Sequence, residues 1–115
     1  MHEAGIAESM LGVVLKALPQ ADAKVTKVRV VAGALSGVVA ESLAAWFEII
    51  GRGTAAEGAA VEVRHKAASL RCPGCGYAGD FDGSGPVEPA CPRCGGTVRL
   101  EGGADLYVDS IEVTT

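Results

Sequence analysis

The sequence predicts an α+β fold in which two helices pack on a small mixed three-stranded sheet, with a cysteine-rich module inserted near its end. Two observations lead to this prediction. Apolar residues recur at helical spacing or alternate at strand spacing, in segments that follow one another as α-β-α-β and then β. Before the last strand lies a stretch rich in Gly, Pro and Asp that holds all four cysteines. Because helices on a sheet form a stable two-layer arrangement, we expect residues 1–69 and 101–115 to form one discontinuous domain and residues 70–100 a second.

The first two elements are a helix and a strand. Residues 3–18 have an apolar face at helical spacing, and Pro19 ends the segment because proline cannot continue a helix. In residues 25–32, Val28 and Val30 share one face of a strand. The apolar face of the helix comprises Ile6, Met10, Val13, Val14 and Ala17, and the opposite face of the strand carries Lys27 and Arg29.

A second helix and the remaining strands follow. The helix covers residues 39–50, with Ser36 as a candidate N-cap. Within the last strand the apolar residues change phase, which predicts a β-bulge near Asp109 and Ser110. The apolar stripe of the helix comprises Leu43, Trp46, Phe47 and Ile50, and the strands are predicted at residues 61–67, 98–100 and 105–113.

The composition limits the kinds of protein this chain can be. Its 115 residues are 49% apolar and 21% charged, as in a folded globular domain. The net charge of −4 argues against nucleic acid or an anionic membrane as the main partner, since phosphate binding needs a surplus of Lys and Arg. No run of about 18 apolar residues is present to span a bilayer, and the start of the chain lacks the features of a signal peptide. We therefore expect a cytoplasmic protein whose cysteines stay reduced.

The four cysteines form two C-x-x-C pairs separated by fifteen residues, a spacing typical of a zinc site. Two residues between cysteines let one tight turn direct both sulfurs to one point, and two such turns supply four thiolates in a tetrahedron. Each pair reads C-P-x-C-G, so Pro73 and Pro92 would set the first turn dihedral. Gly76 and Gly95 would then adopt a positive φ. The predicted zinc ligands are Cys72, Cys75, Cys91 and Cys94.

A site with four cysteine ligands leaves no open position for water or substrate, so we expect structural zinc. An iron site of the same geometry and a thioredoxin-like redox role stay open as alternatives. The redox role would place one pair at the start of a helix, and no helical pattern follows either pair. Because the module has almost no apolar core beyond Tyr77 and Phe81, we expect it to unfold when the metal is removed.

His2 stands next to the α-amine of the first residue. The amine, the first backbone amides and the imidazole lie within a few bonds of one another and can surround a metal ion with nitrogen donors in a plane. Tetragonal nitrogen sites favour Ni(II) or Cu(II). The alternative is that His2 is an exposed terminal residue. The only other histidine, His65, lies in a predicted strand and is more typical of a packed or surface residue than of a ligand.

Several segments together carry a resemblance to one known family. The start of the chain and the paired cysteine motif are each unspecific alone, but their order and spacing within this length are specific. The segments are Met1-His2-Glu3 with Glu8, Gly33-Ala34-Leu35-Ser36-Gly37-Val38 before Glu41-Ser42-Leu43, Phe47-Glu48, Gly53-Thr54-Ala55-Ala56-Glu57-Gly58-Ala59, the cysteine motif, and Gly103-Ala104-Asp105-Leu106 leading to Ser110-Ile111-Glu112-Val113. Over nearly its whole length the chain resembles the HypA-type (HypA/HybF) nickel metallochaperones of hydrogenase maturation.

The resemblance implies a function and a set of ligands. Met1, His2 and Glu3 would bind Ni(II) through the α-amine, the imidazole and backbone amides, and the four cysteines would hold structural Zn²⁺. The protein would receive nickel as cargo with a HypB-type nickel GTPase and deliver it to the large subunit of NiFe hydrogenase; some relatives also serve urease. Residues 1–69 and 101–115 would then be the nickel-binding domain and residues 70–100 a zinc ribbon. The oligomeric state stays open, with a weak homodimer as one alternative.

Two other classes of function are weighed against this one. The first is a zinc-ribbon interaction module with no nickel-carrier role. The second, an enzyme, is not expected. Thr54 and the glycines near it lack the G-x-x-x-x-G-K-S/T pattern of a phosphate-binding loop, and both histidines have better interpretations than that of a catalytic base. Nucleotide hydrolysis would therefore have to come from the partner.

Overall fold

A computed structural model describes residues 3–82 and 90–115 of the chain. Within these residues no helix has the length and apolarity that a membrane span requires. The helices and strands are α1 (Glu3–Lys16), β1 (Lys24–Gly33), α2 (Ala40–Ile50), β2 (Ala60–Lys66), β3 (Ala68–Arg71), β4 (Ala78–Phe81), β5 (Arg99–Glu101) and β6 (Leu106–Thr114).

The described residues form two compact units. Unit 1 consists of residues 3–31, 38–64 and 107–115. Unit 2 consists of residues 32–37, 65–82 and 90–106. Unit 2 contains the described part of residues 70–100, for which the sequence predicts a zinc ribbon, and extends beyond it on both sides. The limits of the ribbon itself stay a prediction.

The strands β2, β1 and β6 form a three-stranded sheet in that order. β1 and β6 run antiparallel. Thr26 Oγ1 donates a hydrogen bond to the Glu112 carbonyl near the start of β1, whereas the Gly33 N–H donates to the Asp105 carbonyl at its end. The residue numbers of the bonded partners therefore decrease in β6 as they increase in β1, as in an antiparallel pair.

β1 and β2 run parallel, which makes the sheet mixed, as predicted. Lys27 in β1 pairs with Glu62 in β2 at 3.5 Å, and just beyond β1 the Ala34 N–H donates to the Lys66 carbonyl at 2.8 Å. The residue numbers of the paired positions therefore increase in the same direction along the two strands. The predicted fold class, two helices with a mixed three-stranded sheet and a cysteine module, is confirmed.

The core of unit 1 is built from aliphatic side chains and one phenylalanine. The two helices pack against each other. As predicted, α2 buries Leu43 and Phe47, and β1 buries Val28 and Val30. In β6 the alternation of half-buried and exposed residues changes phase between Ser110 and Ile111, where the sequence predicts a bulge. The other buried apolar residues of this unit are Ala7, Met10, Val14, Ala23, Val25, Val31 and Ala56.

Three predicted details of the helices are wrong. Val13 is 52% exposed, because the buried face of α1 is centred on Ala7 and Val14, which leaves Val13 at its margin. Ala17 lies beyond the end of the helix at Lys16. Ser36 is not the N-cap of α2: the cap is Val39, and the Ser36 N–H instead donates to the Gly33 carbonyl in a turn.

A second sheet, with the order β4-β3-β5, belongs to unit 2, and two of its strands, β3 and β4, are not predicted by the sequence. β3 pairs antiparallel with both neighbours. Arg71 lies opposite Ala78 in β4 and Arg99 in β5, so these three residues share one face. The other face carries Leu70 and Leu100 with Phe81, all half-buried.

Candidate metal centre

The two C-x-x-C pairs occupy equivalent places in unit 2. Cys72 and Cys75 lie in the turn between β3 and β4, which is closed by the pairing of Arg71 with Ala78. Cys91 and Cys94 lie between Ala90 and Thr97, which form an isolated antiparallel bridge. Each pair is thus enclosed by antiparallel partners seven residues apart, so the duplication in the sequence becomes a duplicated turn.

The hydrogen bonds of the two turns match residue for residue. The Gly76 N–H donates to the Cys72 carbonyl, and nineteen residues later the Gly95 N–H donates to the Cys91 carbonyl, both at 2.9 Å. Gly76 has φ +80° and Gly95 has φ +77°, as predicted from their place after the second cysteine. Each turn is completed by the N–H of its first cysteine, which donates to the carbonyl five residues on, in Tyr77 and Gly96 respectively.

The four sulfurs converge on one point. Their ligand atoms all lie within 4.8 Å of one another. The Cys72 and Cys94 sulfurs are 3.6 Å apart, as are those of Cys75 and Cys91. A tetrahedral zinc site with bonds of about 2.3 Å requires sulfurs about 3.8 Å apart. The described cysteines are free thiols rather than disulfides, and together they can hold a metal ion.

Burial divides the four cysteines by their place in the turn. Cys72 and Cys91, the first of each pair, are buried, whereas Cys75 and Cys94, the second of each pair, are exposed. Cys91 Sγ accepts 3.4 Å hydrogen bonds from the N–H groups of Arg93 and Cys94. Backbone N–H groups directed at sulfur stabilise a thiolate, the form that binds metals.

The pKa values of the thiols follow these contacts. Burial raises the pKa of Cys91, but the N–H groups of Cys94 and Arg93 and the neighbouring thiols lower it more, to about 6. For Cys72, the Cys75 N–H is the main cause of a lowered pKa. The Tyr77 N–H lowers the pKa of Cys75, yet partial desolvation of its sulfur and the other three thiols raise it more, to about 11. A bound cation would remove the remaining protons, so binding releases protons and strengthens as pH rises.

The chemistry of this cluster suits a closed structural site. All its donors are soft sulfurs, which select zinc or iron rather than magnesium or calcium. Four protein ligands complete a tetrahedron and leave no position for substrate. No helix follows either pair in the described parts of unit 2, so the arrangement that lowers a redox-active thiol pKa at a helix N-terminus is absent there.

The predicted nickel ligands are described only in part. Met1 and His2 lie outside the described residues. Glu3 begins α1, and its side chain is buried. His65 lies in β2 with its side chain exposed, so of the two expected alternatives, a packed or a surface residue, it is a surface residue.

The contact that Glu3 makes is not predicted by the sequence. Glu3 Oε2 accepts a hydrogen bond from the Val39 N–H at 3.4 Å. No spacing rule joins residues thirty-six positions apart. The sequence carries no local signal for this contact, because Ser36 is a capping residue by type and only the structure shows Val39 as the N-cap.

Comparison with known proteins gives one consistent result. The family model described as HypA, hydrogenase/urease nickel incorporation, metallochaperone, matches residues 1–113. The chain is 34% identical over 115 residues to a hydrogenase maturation factor HypA of Dehalococcoides mccartyi, covering 98% of this chain and 94% of that one. It is 37% identical over 114 residues to that of Archaeoglobus fulgidus, covering 98% of each. The solution structure of the Ni metallochaperone HypA from Helicobacter pylori superposes with a TM-score of 0.61 at 20% identity, covering 97% of each chain, which shows a shared fold.

Proposed function

The chain belongs to the HypA family of nickel-incorporation metallochaperones, and on that premise we propose that it binds Ni(II) at its N-terminus and helps insert it into the large subunit of NiFe hydrogenase. The observation that carries this proposal is the family match over residues 1–113, which includes the first three residues. Its curated relatives are named for hydrogenase maturation. In this proposal nickel is cargo that is bound and passed on.

The proposed nickel ligands are nitrogen atoms of the first three residues. They are the α-amine of Met1, the imidazole of His2 and backbone amides of His2 and Glu3. An amine that titrates near 8 and an imidazole near 6.5 must lose protons to bind, so we expect nickel affinity to fall as pH falls. Cu(II) would bind such a site more tightly than Ni(II), and selectivity must then come from delivery and from the partner proteins.

The proposed role of the cysteine cluster is structural. Cys72, Cys75, Cys91 and Cys94 would hold one Zn²⁺ per chain, because their sulfurs fit a tetrahedron and leave no open position. Elemental analysis of the purified protein tests this directly. A chain without zinc whose four thiols all react in the native state would contradict it, and iron in its place would identify the alternative metal.

The proposed partners follow from the same role. A HypB-type nickel GTPase would supply or share the nickel, and the hydrogenase large subunit would receive it. The cysteines would stay reduced in the cytoplasm, where we place this exchange. Hydrolysis of the nucleotide belongs to the GTPase partner, and we propose no enzymatic reaction for this chain.

A nickel titration of the chain with its natural, untagged N-terminus tests the proposal. Three variants are compared with it: His2→Ala, a chain extended by residues before Met1, and His65→Ala as a histidine control. We expect the first two to lose nickel binding at the terminus and the control to keep it, because His65 is exposed on β2. Equal binding by all four chains would reject the nickel site and favour the zinc-ribbon interaction module.

A further inference from the structure

The first residue of α1 carries a buried carboxylate. Glu3 is 7% exposed, and it is the one charged or polar residue of the described chain that is buried to this degree. Burial of a carboxylate costs free energy unless hydrogen bonds replace its water. Oε2 of Glu3 accepts such a bond from the Val39 N–H, at 3.4 Å. The carboxylate is therefore attached to the backbone at the start of a second helix.

That second helix lacks a cap of its own. Val39 is the N-cap of α2, and its side chain makes no capping hydrogen bond because valine has no acceptor. In a capping box, a Glu or Gln at the third helical position reaches back to the N–H of the N-cap. Ser42 occupies that position here, so the usual side chain is missing. Glu3 reaches the same N–H from α1, and thus replaces the missing local partner.

We propose that Glu3 is a positioning residue for nickel: its carboxylate anchors the backbone of residue 3 to the N-terminus of α2. This inference rests on the proposed function, in which the backbone amide of residue 3 is one of the nickel ligands. Ordering a ligand when the metal binds costs entropy. An anchor one side chain away from the ligand lowers this cost before nickel arrives.

The same contact makes nickel binding and the stability of α2 depend on each other. α1 and α2 pack together over their buried faces, so Glu3 is held near Val39 by the core of unit 1. Nickel that fixes residue 3 also fixes the carboxylate that caps α2. By linkage, nickel should then protect the Val39 amide hydrogen from exchange, and the Glu3–Val39 contact itself, rather than any other cap of α2, should raise the affinity for nickel.

The first test is to remove the carboxylate. Glu3→Ala keeps every proposed nickel ligand, since these are backbone and His2 atoms, but removes the anchor. We expect nickel to dissociate into a competing chelator roughly threefold to tenfold faster, the range that corresponds to the loss of a helix cap. Glu3→Gln keeps an oxygen acceptor at the same reach and should stay close to the unaltered chain. An unchanged dissociation rate in Glu3→Ala would overturn the inference.

The second test separates positioning from stability. Val39 is 57% exposed, so Val39→Ser loses little packing and gives α2 a local cap. In Glu3→Ala/Val39→Ser we expect the thermal stability to recover while nickel dissociation stays fast, because the serine is not joined to residue 3. Val39→Ser alone should release nickel at the original rate. If the double variant recovers both properties, Glu3 has only a structural role and the inference is wrong.

Failure of the proposed function would be recognised separately. If the unaltered chain and His2→Ala bind nickel equally, with either Glu or Ala at position 3, the proposed nickel site is wrong. The inference about Glu3 is then wrong as well. Hydrogen exchange at the Val39 amide in the metal-free protein measures the anchor independently. Faster exchange in Glu3→Ala with normal nickel release would show a cap that does not position the nickel ligands.

Discussion

Unit 1 and unit 2 are stabilised by different kinds of buried side chain. The largest fully buried side chains of the described residues all belong to unit 1: Phe47, Leu43, Val14, Val28, Val30 and Val31. In the described part of unit 2, the buried apolar residues are Ala32, Ala68, Cys72 and Cys91. Unit 2 therefore buries small side chains and thiols where unit 1 buries a hydrophobic core.

This difference indicates what a metal bound by the four cysteines would contribute to unit 2. A unit of this size with few large buried side chains gains little free energy from apolar burial, and small folds of this kind usually need a metal or disulfides. The half-buried face of Leu70, Leu100 and Phe81 is the main apolar contribution in the sheet of unit 2. The four thiols can supply the rest only when a metal joins them.

The largest expected effect is therefore that of removing the metal. Binding of structural zinc contributes about 10–16 kcal/mol in small zinc modules near neutral pH. We expect a strong chelator, or Cys91→Ser, to abolish the protection of backbone amides in β3, β4 and β5 against hydrogen exchange. Protection in α1 and α2 should persist. Equal loss of protection in both units would show that the apolar core of unit 1 is not sufficient by itself.

The second prediction concerns the apolar core of unit 1. Phe47 is 1% exposed, and Phe47→Ala should lower the free energy of unfolding by about 3–5 kcal/mol. Urea unfolding, followed by the circular dichroism signal of the helices, measures this loss. The zinc content of the native chain should not change. Ile49 lies two residues away on the same helix and is 50% exposed, so Ile49→Ala is the matched control, with a change within about 0.5 kcal/mol. Similar effects of the two substitutions would contradict the assigned core.

The sequence was most informative where one physical rule decides the structure. Helical spacing with buried large residues located α2, and alternating valines with charged neighbours located β1. In the cysteine motif, the turn geometry follows from the residue types alone, because a tight turn that returns two sulfurs to one point needs a residue that tolerates positive φ after the second cysteine. Gly76 and Gly95 have that conformation.

These glycines provide a third, smaller test. Gly76 has φ +80°, and an alanine there is strained by about 1–2 kcal/mol. We expect Gly76→Ala to weaken zinc binding by roughly tenfold, a factor equivalent to about 1.4 kcal/mol. Gly74, in the same turn, has no positive φ, and a Cβ there would meet only Cys72 Sγ at an ordinary 3.7 Å. Gly74→Ala should therefore bind zinc nearly as tightly as the unaltered chain, and equal losses at both positions would refute the conformational explanation.

The sequence was less informative where contacts join distant segments. β3 and β4 contain four residues each, too few for their alternation to be distinguished from a loop, and they are strands because they pair with each other. The start of α2 shows the same limit. Ser36 is a good capping residue by type, yet Val39 is the N-cap and its N–H is bound by Glu3 from α1. Local propensity cannot reveal a partner that only the folded chain brings near.

The smallest expected effect concerns an exposed ion pair of unit 1. Arg29 in β1 bonds to Glu112 in β6, and this hydrogen bond, with the Arg29 charge, lowers the pKa of Glu112 from its ordinary 4.5. A carboxylate whose pKa is lowered by folding stabilises the native state above pH 4.5, and this stabilisation is lost as pH falls through the lowered pKa. Glu112→Gln should therefore be less stable than the unaltered chain near pH 7, and the difference should vanish in acid and shrink in high salt, which screens exposed charges.

The control for this pair is Glu62→Gln, since Glu62 lies 3.7 Å from the same arginine without the close bond that Glu112 makes. The test compares the unfolding free energies of the unaltered chain, Glu112→Gln and Glu62→Gln at several pH values. A Glu112→Gln deficit that is independent of pH would mean that Glu112 contributes by packing rather than by charge. In unit 2, by contrast, we expect pH to act through the proposed zinc, because acid protonates the thiolates that would bind it. The two units should therefore lose stability in acid for different reasons, and only the loss in unit 2 should be accompanied by release of zinc.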